Sequence, residues 1–233
     1  MYSSQLNYVP LAWPFFSFLV GLFLVLVVLI QLHALRFAYM RLGISSGAAL
    51  LLLLGSLLGS YVNIPVASLP EQQMVSDQEI SFFGVRYAVP VVVDWPATVI
   101  AVNVGGAVIP VMLSLYLLAK NNLWGRGLLA TACVAAVCYL LAQPVPGVGI
   151  AIPTFAPPFV TAIVAFLVAE TNIAAVAYIS GSLGTLIGAD LLNLDKIQGM
   201  GAPVASIGGA GTFDGIFLTG ILAVLIASFS LRR

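Results

Sequence analysis

The chain alternates long apolar runs with short breaks of turn-forming or charged residues. Bounded in this way, the pattern predicts helices over Leu11 to Leu35, Ser45 to Pro65, Ala97 to Ala119, Gly127 to Leu141, Ile152 to Ala169, Thr171 to Leu192 and Phe213 to Leu231. A helix needs about 20 mainly apolar residues to cross a hydrocarbon core of roughly 30 Å. The expected fold is therefore all-α, a polytopic integral membrane protein of about seven transmembrane helices in a single membrane domain, residues 1–233. The fourth run is short and the fifth is rich in proline, and losing one of them alone would reverse half the molecule.

Between the second and third runs the period changes. Residues 66–93 hold Glu71, Asp77, Glu79 and Arg86, and then EISFFGVRYAVPVVV, where alternating positions surround Gly84. Period-two patterning with a central glycine predicts a short β-hairpin on the outer face, and Pro90 argues against another crossing. Helical pattern also fails in two other places. Residues 143–158 (QPVPGVGIAIPTFAPP) carry prolines and no charge, and residues 199–212 (GMGAPVASIGGAGT) are rich in glycine, so both read as irregular or re-entrant.

A further break is expected inside the third run. Asp94-Trp95-Pro96 forms an acidic cap with proline in the first turn, and Pro110 cannot donate to the carbonyl of Gly106. Backbone that leaves helical geometry at membrane depth is tolerated where it is buried in protein or lines a wet cavity. Asn63, Asp94, Asn103, Gly105, Gly106, Gly188, Gly211 and Gly215 are accordingly expected to line a cavity. The Gly181, Gly184 and Gly188 stripe is expected to serve close helix packing.

Composition agrees with the pattern: 61% of residues are apolar and 7% are charged, with a mean hydropathy of +1.13. Soluble domains carry about 25% charged residues. The first ten residues, MYSSQLNYVP, include no basic residue, so the first run reads as a retained helix and not a signal peptide. Lys and Arg in short loops favour the cytoplasm. Placing the amino terminus outside puts Arg36, Arg41, Lys120, Arg126, Arg232 and Arg233 inside, and only Arg86 and Lys196 outside. The expected location is the cell membrane, multi-pass, with a cytoplasmic carboxyl terminus. The expected partners are the lipid bilayer and an unidentified peptide, lipid or ion, without nucleic acid.

Charge then singles out two carboxylates. Asp190 lies in GADLLNLD at the end of the sixth run and Asp214 in GTFDG at the start of the seventh. A charge at membrane depth costs about 2.5–3.5 kcal/mol at the centre, so such residues usually have a partner or a role. Brought together on adjacent antiparallel helices, the two would share a proton and act as acid and base on water, as in an aspartic protease. The same oxygens, with Asn193, Asp195 or Asn103, could instead hold a cation. No cofactor is expected beyond such an ion. His33 is the only histidine and lies at the opposite end of the span model, which excludes serine–histidine and histidine–metal chemistry at the aspartates. Cys133 and Cys138 point to different sides of one helix and cannot bridge.

The runs GADLLNL, GTFDGIFLTGI, NVGGAVIP and VDWPATVIAVN resemble, across residues 63–225, a family of uncharacterised prokaryotic and largely archaeal membrane proteins catalogued as a domain of unknown function. That resemblance implies a multi-spanning protein and no particular activity. Phe213-Asp214 and Gly188-Ala-Asp190 are also weakly similar to the motifs of presenilin and signal-peptide-peptidase proteases. Ile187 stands where that class has glycine, and the two motifs come in the opposite order. Two functions remain open, an aspartic-type membrane hydrolase, placed first, and a cation- or proton-coupled transporter or ion-binding protein.

Overall fold

A computed structural model of the protein describes residue 28 and residues 31–70, 72–82, 85–95, 98–145, 149–197, 204–209 and 215–230. Residues 72–82, 85–95 and 229–230 are described by their backbone alone. The described part is mostly helical, with three small sheets.

Helix α1 (Gln31–Arg41) and helix α2 (Ser46–Gly59) meet at 118°. Gly43 makes the turn with a φ of 74°, a conformation glycine adopts without steric cost. Ser45 starts α2 by accepting from the N–H of Ala48. The second apolar run does not stay helical to Pro65, because α2 stops at Gly59 and strand β1 (Asn63–Leu69) follows. Strands β2 (Gln72–Phe82) and β3 (Val85–Trp95) form an antiparallel ribbon that contains the alternating stretch. It is longer than a short hairpin, since pairing begins at Gln72 with Trp95.

The third run differs most from its expected helix. Its first part is strand β4 (Thr98–Asn103), followed by a π-helical turn (Val104–Val108) and helix α3 (Ile109–Lys120). Thr98, Val99, Ile100 and Val102 are β-branched and suit a pleated surface. β4 takes partners on both edges, pairing antiparallel with β1 and parallel with β7 (Val204–Ile207).

Helix α4 (Trp124–Leu141) follows, then the small hairpin of β5 (Gln143–Val145) and β6 (Gly149–Ala151), which occupies part of residues 143–158. Helices α5 (Ala156–Val168), α6 (Ile173–Thr185) and α7 (Gly215–Ser230) complete the bundle. Beyond Thr185 the chain continues as a second π-helical turn (Leu186–Asp190) and a 3-10 segment (Leu191–Lys196). Two helical stretches are long and apolar enough to cross a membrane, Trp124–Leu141 and the 24-residue rod Ile173–Lys196. α1 and α2 together would pass as one bent span, and the remaining apolar helices are shorter.

The α6 rod is the centre of the bundle, with 72% of its apolar window buried against 33% for α4. It packs on α3, α4, α5 and α7. Its small residues permit this: Gly181 faces Thr161 and Gly220, and Gly184 faces Val134. Close approach of this kind replaces hydrophobic driving force where the surroundings are themselves apolar.

Candidate functional site

The π-helical turn that opens α3 and the one within the α6 rod lie near each other at one end of the bundle, where Ala107, Leu186 and Ile207 share a buried cluster. Asn103 ends β4 opposite Asn63 in the ladder and is fully buried. Its Oδ1 accepts from the N–H of Gly106 at 2.8 Å, which caps the π-helical turn. Its Nδ2 donates to Ser60 O at 2.8 Å and to Asn63 Oδ1 at 3.1 Å. One side chain thus serves the end of α2, the start of β1 and the first turn before α3, where backbone groups lack helical partners.

The glycines of this turn allow chain crossings that no side chain permits. A Cβ on Gly105 would lie 2.1 Å from Ser56 O, and one on Gly106 would lie 1.9 Å from Gly208 O. Gly208 sits just past β7 with a φ of 89°. Ser206 Oγ lies 2.7 Å from Asn63 Oδ1 and 2.6 Å from Gly209 O, and its single proton serves one of them at a time.

The interruption in α6 is capped from within. Asn193 is fully buried, and its Nδ2 donates to Gly188 O at 2.9 Å and Ala189 O at 3.0 Å. Those carbonyls lie where the helix changes pitch. Asn193 Oδ1 accepts from Lys196 Nζ at 2.7 Å, and Lys196 also lies over the Tyr139 ring, 4.8 Å from its centroid. Gly188 fits tightly against α4, since a Cβ there would come 2.2 Å from Ala135 O.

Asp190 joins the two interruptions. It is half-buried, and its Oδ2 accepts from the N–H of Gly208 at 2.8 Å. Gly208 therefore gives its N–H to the end of α6 and presses its carbonyl against Gly106 before α3. A carboxylate accepting a backbone N–H makes a charge-assisted bond, stronger than a neutral pair.

Of the residues expected at a site, Asn63, Asn103, Gly105, Gly106 and Asp190 are joined through Ser60, Ser206 and Gly208. Asn193 and Gly188 adjoin them on the α4 side, and the polar atoms of Asn193 are engaged within the protein. Asp195 is exposed. Gly215 begins α7 with open space where a Cβ would project. Asp94 stands opposite Gln73 in the β2–β3 ladder. Asp214 and Gly211, and with them the expected pairing of Asp190 with Asp214, lie outside the described residues. Among the described residues no group of three or more His, Cys, Asp or Glu side chains could hold a metal ion.

Ser206 and Gly208 were not singled out from the sequence. The signal available was the adjacent pair Gly208-Gly209 in a stretch that reads as irregular, since paired glycines mark turns with unusual φ.

Comparison with known proteins places the chain. A family model described as "Protein of unknown function (DUF1614)" matches residues 57–226. The chain belongs to that family. No curated protein and no solved structure matches it. The likeness of its aspartate motifs to presenilin-type proteases finds no support in these comparisons.

Proposed function

We propose that this member of the family is a multi-pass cell-membrane protein that binds a cation or proton at Asp190 and couples it to transport. One observation carries the reading: a half-buried carboxylate ends the π-helical turn of the α6 rod and accepts from the N–H of Gly208, whose carbonyl presses on the π-helical turn that opens α3. Secondary transporters place substrate and coupling-ion sites where membrane helices depart from regular α-helical geometry, and both turns beside Asp190 do so.

The distribution of charge supports the membrane reading. Arg41 donates to Ser228 O, Lys120 donates to Gly43 O, and Arg126 pairs with Glu170 at 3.0 Å. Arg41 and Glu170 line one depression with Asn172, just before α6 begins. Asp190 lies on the same rod beyond Ile173, which at 1.5 Å per residue separates it from that basic end by about 25 Å. By the preference of basic residues for the cytoplasm the basic end is inside and Asp190 outside. Seven crossings with an external amino terminus remain the proposed topology.

The hydrolase is the second reading. What favours it is that α7 starts at Gly215, directly after Asp214, and packs along α6, which carries the chain to Asp190. Reconstitution in vesicles under imposed proton and sodium gradients distinguishes the readings. Ion flux that falls at least tenfold in Asp190→Asn supports transport. Cleavage of a membrane-embedded peptide, lost in both Asp190→Asn and Asp214→Asn without any ion flux, would replace it with hydrolysis.

A further inference from the structure

A groove of about 620 Å³ runs between α2 and α3, from Val108 beside the π-helical turn to Gly43 and Tyr116. Ile44, Leu51 and Leu52 form one wall, and Ile109, Met112 and Tyr116 the other. Leu51 is 71% exposed and Met112 63% exposed, so the groove opens away from the bundle. Its lining includes no acidic residue among the described residues.

One end of the groove is basic. Lys120 Nζ donates to the carbonyl of Gly43 at 3.2 Å and lies 5.3 Å from the centroid of the Tyr116 ring, and both residues line the groove. Arg36 donates to Ser46 Oγ, next to Ser45 in the lining. Both cations are exposed. An occupant matching this surface is apolar along most of its length and anionic at one end. Basic pockets between membrane helices on the cytoplasmic side bind anionic lipid headgroups in this way.

We propose that this groove holds an acyl chain of an anionic phospholipid, with the phosphate against Lys120 and Arg36. The proposal rests on the chain lying in a bilayer and is independent of what Asp190 does. A second copy of the chain is a poorer fit. Two such grooves face to face would set basic residues beside one another, with no acidic residue among the described residues of either lining.

The test is native mass spectrometry of the purified full chain in detergent, supplied with phosphatidylglycerol or phosphatidylcholine. Phosphatidylglycerol is expected to be retained in preference. Each of Lys120→Gln and Arg36→Gln should reduce that preference about fivefold, the effect of roughly 1 kcal/mol per basic residue at a membrane surface. Lys120→Arg should keep it, and Ala48→Trp, which fills the groove, should lower retention of both lipids. Raising salt on the wild-type chain should weaken the preference without any substitution. Equal retention of the two lipids, or a preference unchanged in Lys120→Gln with Arg36→Gln, overturns the proposal. So does a cross-link between copies through Leu51→Cys that excludes lipid.

Discussion

Asn103 carries more of the junction than any other described side chain. Its amide satisfies Gly106 N–H, Ser60 O and Asn63 Oδ1 while fully buried. Asn103→Ala leaves the first two backbone groups without that partner. At about 1–3 kcal/mol for each buried unsatisfied group, the loss should reach roughly 2 kcal/mol or more, read from the midpoint of unfolding in mixed detergent. Asn103→Asp should be at least as damaging, because a carboxylate cannot donate to Ser60 O. Gly106→Ala drives a Cβ into Gly208 O and should cost about 1–3 kcal/mol, in the range of overpacked sites. Gly215→Ala is the contrast. Its Cβ would meet open space, so its midpoint should stay within about 0.5 kcal/mol of the wild type, as at sites free of such contacts.

At the scale of elements, the two interruptions explain what could be read from the sequence and what could not. Pro110 and the glycines at 105 and 106 marked a break before α3, because a missing donor and a missing Cβ are local properties. That Thr98–Asn103 would be a strand depended on partners far away, β1 on one edge and β7 on the other. Hydropathy alone cannot separate a short buried strand from part of a buried helix. The same limit hid the early end of α2. Gly188 carried two expectations, cavity lining and close packing, and the close approach of α4 matches the packing one. Asp190 was legible as a costly charge, whereas its bond to Gly208 depends on how the chain returns through β7. Gly188→Ala should force α4 away from the π-helical turn and lower the unfolding midpoint by about 1–3 kcal/mol. Circular dichroism should show helix content nearly unchanged, which separates a local shift from general unfolding.

Over the whole molecule, a polar junction lies at one end and basic residues at the other, separated along α6. If that axis is the membrane normal, single cysteines replacing Gln78, Asn122 and Lys196 should react with an impermeant thiol reagent from outside, inside and outside, respectively. This labelling is best made in a background lacking Cys133, which is exposed. Labelling of positions 122 and 196 from the same side would remove the proposed orientation of α4 to α6. The central claim, that Asp190 binds a cation or proton, is tested most directly by its reactivity toward a hydrophobic carbodiimide, which attacks protonated carboxyl groups within membranes. The modified residue would be read by peptide mass spectrometry across pH and in sodium, calcium or magnesium. Asp190 modification that rises with acidification or is suppressed by one of these cations, and is absent in Asp190→Asn, is the predicted result. A modification rate at Asp190 indifferent to both pH and cations would contradict the account.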